Sequence, residues 1–191
     1  MHSLPCGTAY SRAPAKSLKA SHGKLPAPRL FSPANPRGKL THEMETTLLL
    51  LKPDALHRGF AGRILSRFED KGLQIVGLRM LQMDAELAAQ HYADHVDKPF
   101  YKGLVAFMTS SPIVAAALQG PDAVEIVRKI MGATFGPDAE SGSIRGDFSC
   151  TKTYNLVHGS DSPESAEREL ALFFPDGNLN WEPTQGRWTR E

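Results

Sequence analysis

Apolar and polar positions follow two different periods along this chain, and the switches between them mark out a series of elements. TTLLLLKP, residues 46–53, is an apolar run closed by proline, which predicts a strand buried on both faces. In FAGRILSRFEDKG (60–72), Ile64, Leu65 and Phe68 fall at helical spacing and Gly72 supplies the stop. LQIVGLRMLQM (73–83) alternates and reads as a second strand. Asp84 is placed to cap a helix over AELAAQHYADHV (85–96), with Glu86 in its first turn. KPFYKGLVAFMTSS (98–111) predicts a short helix with turns, and PIVAAALQG (112–120) a strand with proline at its first position. PDAVEIVRKIMG (121–132) predicts a helix with proline at or near its first residue and glycine at its end. TFGPDAESGSIRGDF (134–148) is full of turn formers and is expected to be a long loop. TYNLVHGS (153–160) predicts the last strand, and SPESAERELALFF (162–174) the last helix, capped by Ser162 with Pro163 in its first turn. The order β-α-β-α-(α)-β-α-β-α predicts an α+β fold, a ferredoxin-like four-stranded antiparallel sheet with helices packed on it.

The 191 residues suffice for one well-buried domain with tails, and 41% hydrophobic with 23% charged residues reads as globular. No apolar run has the length of a bilayer span, so no membrane partner is expected. Two cysteines, Cys6 and Cys150, make no disulfide framework and fit a reducing compartment. The formal net charge of +1 conceals an asymmetry: residues 1–42 hold seven Lys or Arg and no acid, which leaves the rest of the chain with 15 basic and 21 acidic residues. That leader also carries six of the 14 prolines, so residues 1–43 are expected to be a disordered extension preceding a domain that starts at Met44. It lacks the apolar segment of a secretory signal. Cytoplasm is the expected compartment; the alternative, a mitochondrial or plastid transit peptide, suits the basic, acid-free composition but not the prolines.

Several polar residues stand where a strand or helix gives way to a loop, the positions a rigid scaffold presents to a ligand. Lys52 ends the first strand, Arg128 lies late in a helix, Thr134 opens the long loop, Arg145 lies near its end, and Asn155 and His158 share the last strand. Three cations with a hydroxyl and an amide suit a polyphosphate. Beside His158, Gly159 is expected to allow close approach to the ring, and Ser160 can donate to a negative oxygen. The next helix brings Glu167 and Glu169 toward the strand's end, where a carboxylate can fix the ring's tautomer. His91 and His95 have i, i+4 spacing without the glutamate of a zinc-protease helix, and are read as a solvated helix face. The RGD tripeptide at 145–147 is better used through Arg145 as an anion ligand than as an adhesion signal. There is no Walker A sequence, so a nucleotide site must be of another kind.

LLLKPDALHRG, HYADHVDKPFYKGLV, IRGDF and NLVHGSDSPESAERE, in this order, make the chain resemble nucleoside diphosphate kinases over about Glu45 to Phe174. The resemblance implies transfer of the γ-phosphate of a nucleoside triphosphate, mainly ATP, to a nucleoside diphosphate through a phosphohistidine. Mg²⁺ would be bound mainly through the nucleotide phosphates, with no protein side chain assigned as its ligand. By position, His158 would be the nucleophile, Glu169 the carboxylate that orients it and Ser160 its assistant. Lys52, Tyr92, Arg128, Thr134, Arg145 and Asn155 would contact phosphates, ribose or the catalytic histidine, and Phe100 would stack on the base. Stacking tolerates every base.

Ala55 replaces a glycine common in the family after Lys-Pro-Asp, a minor change. Many members have Asn-Pro directly after the threonine, whereas Phe135 and Gly136 here precede Pro137. That loop makes subunit contacts in the family, so the departure bears on assembly. Residues 175–191 resemble the tail of hexameric members and are expected to pack on the domain or a neighbouring subunit, so a homo-oligomer is implied: a hexamer, with a tetramer as the alternative. A nucleic-acid-binding module on the same fold would expose aromatics on its strands; these strands are aliphatic and the body is acidic, so no specific nucleic acid is expected. A basic-tailed interaction protein remains the second rival, in which residues 1–42 bind anionic surfaces.

Overall fold

The computed structural model describes residues 44–179 and 181, so the expectations for the basic leader and for residues 182–191 lie outside the described residues. Within them the chain forms β1 (Met44–Leu51), α1 (Pro53–His57), α2 (Ala61–Asp70), β2 (Gln74–Leu81), α3 (Ala85–His91), α4 (Tyr101–Met108), β3 (Ile113–Pro121), α5 (Ala123–Met131), α6 (Ile144–Phe148), β4 (Val157–Gly159) and α7 (Pro163–Phe173). The four strands make one sheet in the order β2-β3-β1-β4, every neighbouring pair antiparallel. This is the ferredoxin-like arrangement that the element order predicts.

The apolar run of β1 explains the layering. Leu48 to Leu51 are all fully buried, and successive side chains point to opposite faces. Leu49 and Leu51 join Ile64 and Phe68 of α2 and Val127 and Met131 of α5 in one core. Leu48 and Leu50 join Ala88 of α3, Met108 of α4 and Phe173 of α7 in another. Each of these leucines stabilises the fold by about 2 kcal/mol through burial.

Several boundaries differ from the sequence reading. Pro53 does not merely end β1; it starts a short helix at its first position. The helix predicted over 85–96 stops at His91, Tyr92 forms its cap, and Ala93–His95 make a separate 3₁₀ turn. Pro121 ends β3 instead of opening α5, whose N-cap is Asp122 with φ 48°. IRGDF is helical, started by Ser143, whose hydroxyl accepts from Gly146 N at 3.1 Å. The last strand is three residues long, not eight. Leu156 has φ 67°, and no strand ladder accommodates that angle. The final helix follows the reading closely, with Ser162 and Ser165 exchanging cap hydrogen bonds and Pro163 at the start.

Candidate active site

Register decides which way His158 faces. It pairs with Leu50, so its side chain enters the α3–α4–α7 layer, while Val157 and Gly159 face α5. Gly159 therefore serves helix packing and not approach to the ring, as expected from sequence. A Cβ there would lie 2.7 Å from Met131 Sδ and 3.1 Å from Val127 Cγ1. The His158 ring stays partly open to solvent, its side chain 26% exposed.

Glu169 lies on the buried face of α7, and Glu167 on the exposed one. His158 Nε2 is 3.1 Å from each Glu169 oxygen. A carboxylate only accepts, so Nε2 carries the proton, and the lone pair of the neutral ring resides on Nδ1. Ser160 Oγ donates to Glu169 Oε2 at 2.7 Å and accepts from Leu48 N at 3.3 Å. Burial pushes Glu169 upward, but its bonds to His158 and Ser160 and the nearby imidazoles outweigh that and hold its carboxyl below the ordinary value. The result is an ionised carboxylate, nearly enclosed, that locks one tautomer.

Behind this pair is a residue the sequence reading misplaced. His91 is buried, not on a solvated face, and its ring meets that of His158 edge-on at 4.7 Å and that of Phe173 at 5.2 Å. Burial first, then repulsion from the His158 ring whenever that ring is protonated, lowers its pKa to about 3, so it is neutral. Neither of its nitrogens has a hydrogen-bond partner, and the same holds for the hydroxyl of Tyr92 beside it. Burial, then Glu169, raises the Tyr92 phenol, which stays protonated. The sequence signal for His91 is its spacing: it follows Leu87 and Ala88 by four and three residues, on the face of α3 that packs into the core.

Two cations gather at Asn155. Lys52 Nζ donates to Asn155 Oδ1 at 2.7 Å, and Asn155 Nδ2 donates to the Thr134 carbonyl at 2.8 Å. Burial and then the Arg145 charge bring the Lys52 ammonium down to about 8, against a smaller upward pull from Asp54. Arg145 gives Nε to the Asn155 carbonyl at 3.2 Å, one terminal nitrogen to Gly132 O at 2.9 Å and to Ala133 O at 3.5 Å, and the other to Val157 O at 2.9 Å. Four of its five N–H groups thus hold the chain, and one remains for a ligand. Burial, then Arg128, lowers it to about 10, so it keeps its charge. Arg128 and Thr134 are exposed at this rim. Asp161 feels the charges of Arg128 and His158, although its first-ranked interaction, which lowers its pKa, is the Ser165 hydroxyl at 2.6 Å. Phe100 projects into solvent, 56% exposed, edge-on to His95 at 5.7 Å.

A shallow depression of about 450 Å³, lined among others by Pro53, Asp54, Arg58, Phe107, Cys150 and Tyr154, contains none of His158, Glu169, Lys52, Asn155 and Arg145. Cys150 is exposed and unpaired rather than enclosed by the apolar residues around it. His91, His158 and Glu169 place donor atoms within 4.8 Å of one another. Two nitrogens and one carboxylate, already bonded twice, do not make the all-oxygen shell that Mg²⁺ prefers.

The chain matches the family model described as nucleoside diphosphate kinase over residues 45–179. The nucleoside diphosphate kinase of Dehalococcoides mccartyi is 54% identical over 136 residues, 71% of this chain and 96% of that protein. That of Thermomicrobium roseum is 49% identical over 146 residues, 76% of this chain and 98% of its own length. Among solved structures, the halophilic nucleoside diphosphate kinase of Halobacterium salinarum in complex with CDP superposes with a TM-score of 0.76. It is 45% identical, covering 78% of this chain and all of that one.

Proposed function

The chain belongs to the nucleoside diphosphate kinase family, and from that premise we propose that it transfers the γ-phosphate of a nucleoside triphosphate, mainly ATP, to nucleoside diphosphates by a ping-pong cycle through a phosphohistidine at His158. The observation that carries the mechanism is the orientation of the ring. With Nε2–H committed to Glu169, the Nδ1 lone pair is the nucleophile, and Lys52 and Arg145, tied to each other through Asn155, are the cations for the phosphates.

In the first half-reaction Nδ1 attacks the γ-phosphorus, the bond from phosphorus to the β,γ-bridging oxygen breaks, and its electron pair leaves with the diphosphate. The ring becomes cationic as the bond forms, and Glu169 balances that charge through Nε2–H. In the second half-reaction a terminal oxygen of another diphosphate attacks the same phosphorus and Nδ1 leaves with its pair. Positioning and charge stabilisation dominate phosphoryl transfer. Lys52 has two N–H groups beyond its bond to Asn155, Arg145 has one, and the exposed Arg128 side chain has no hydrogen bond among the described residues; these are the groups for phosphate oxygens. Phe100 offers an exposed ring face to any base. Thr134, whose carbonyl accepts from Asn155, and Tyr92, beside His91, are further proposed contacts to the nucleotide or the histidine.

Mg²⁺ would be held mainly by the nucleotide phosphates, with no side chain of this chain assigned as its ligand; when bound it would neutralise charge on the β- and γ-phosphates. A homo-oligomer is supported by the edge strand β2, where Leu78 and Met80 are 54% and 66% exposed. A hexamer is the preferred size, as the tail suggests, with a tetramer second.

The test is direct. Purified protein with ATP, Mg²⁺ and GDP should produce GTP with parallel-line kinetics in the two substrates, and His158→Ala should produce none. Intersecting lines would rule out the ping-pong cycle, and equal activity of His158→Ala would end the proposal.

A further inference from the structure

Between Asn155 and His158 the backbone makes a turn that a leucine adopts reluctantly. Leu156 is fully buried in the core and has φ 67°, and Val157 N donates across it to Asn155 O at 2.7 Å. A three-residue turn of this hand is strained for any side chain with a Cβ. The turn is needed because it separates two requirements. Asn155 must aim its amide at Lys52 and Thr134, while Val157 and His158 must pair with Leu51 and Leu50. Both peptide groups of Leu156 are held from the junction of β1 and α1. Its N–H donates to Asp54 Oδ2 at 3.0 Å, and its carbonyl accepts from Lys52 N at 2.8 Å.

We propose that Asp54 is a positioning residue for phosphoryl transfer, whose carboxylate pins the strained turn at Leu156 and so sets His158 relative to Asn155 and Lys52. This rests on the phosphohistidine reading above. Asp54 touches neither the reacting nitrogen nor the phosphate cradle; it acts on the main chain between them. Of the carboxylate's two oxygens only Oδ2 meets Leu156, and Oδ1 has no hydrogen-bond partner. An asparagine can therefore keep the acceptor in place and turn its NH₂ to the empty side.

Glycine reaches positive φ without the Cβ penalty that alanine and leucine bear. If Asp54 holds the turn, it matters less when residue 156 is glycine. The experiment measures the single-turnover rate of His158 phosphorylation by ATP in the full chain, for Asp54→Asn and Asp54→Ala in the parent, and for Asp54→Ala in Leu156→Gly and Leu156→Ala backgrounds. The two backgrounds differ by a single methyl group, so most of the cavity effect cancels in their ratio. Asp54→Asn is expected within about threefold of the parent and Asp54→Ala slower by tenfold or more. The Asp54→Ala factor should be at least fivefold smaller in the glycine background than in the alanine one. An equal factor in both backgrounds overturns the proposal. So does an Asp54→Asn rate as low as that of Asp54→Ala, which would assign Asp54 an electrostatic role on Lys52. Hydrogen exchange of the Leu156 amide in nucleotide-free protein gives a second readout: slow in parent and Asp54→Asn, fast in Asp54→Ala. A parent protein without phosphohistidine would refute the functional reading, and the amide exchange would still decide whether Asp54 pins the turn. Unchanged exchange in Asp54→Ala sinks the pin whatever the activity.

Discussion

Replacing Lys52 should alter activity and stability in opposite directions, both with a signature in pH. The folded ammonium gives up its proton near pH 8, displaced from 10.5 by burial and by Arg145. For catalysis the charged form is the one that meets phosphate, so kcat/KM should fall as pH rises through about 8, tenfold per further unit. In Lys52→Arg the limb should vanish below pH 9.5, because guanidinium stays charged. Lys52→Met should be low throughout and flat in that range. For stability the sign reverses. Between pH 8 and 10.5 the unfolded lysine still holds a proton that the folded one has lost, so raising the pH stabilises the native state. Integrated from pH 7 to 9.5 with these two values, the gain is at most about 2 kcal/mol, an upper end because the half-buried side chain retains some water. Urea unfolding of nucleotide-free parent and Lys52→Met at both pH values isolates this contribution, since other groups cancel in the difference. The parent should gain up to about 2 kcal/mol over the variant on going from pH 7 to 9.5. An equal pH response in both proteins would refute the assignment of a suppressed ammonium at Lys52.

Glu169→Gln removes the charge that balances the ring cation and should lower kcat by about 10- to 100-fold with KM little changed; a KM effect alone would contradict the role. Ser160→Ala leaves Leu48 N–H and Glu169 Oε2 each short of a partner and should cost about 1–3 kcal/mol in chemical unfolding, with a milder loss of rate. Gly159→Ala drives a methyl into Met131 and Val127 and should destabilise by about 1–3 kcal/mol; an unchanged unfolding midpoint would show that α5 yields there. Phe100→Ala should raise KM by similar factors, within about 5- to 100-fold, for purine and pyrimidine diphosphates. Selective loss of one base would show recognition by hydrogen bonding instead of stacking.

The chain's own pattern carried the sheet and most of its helices because β1 ends in four consecutive buried leucines and α2 and α5 are strongly one-sided. Ser162, Pro163 and the acids behind them made α7, and with it Glu169, readable from sequence. What escaped was set by single backbone angles and by register. The positive φ of Leu156 shortens β4, and no propensity marks a buried leucine as left-handed. Gly159 looked like a device for the histidine because sequence cannot say which face of a three-residue strand meets α5. His91 and His95 looked equivalent because their spacing is helical, yet the helix ends between them. Arg145 was legible as a cation at the end of a turn-rich segment, but not as the clamp on four carbonyls, since those partners come together only in three dimensions.

The central claim is that Nδ1 of His158 carries the phosphate while Nε2 stays bonded to Glu169. Phosphorus NMR of the protein after reaction with ATP and Mg²⁺, with the two phosphohistidine isomers as standards, tests it most directly. One Nδ1-phosphohistidine signal is expected, disappearing on addition of GDP with GTP formed in equal amount. A signal from Nε2-phosphohistidine, or one that persists in the presence of GDP, would contradict it.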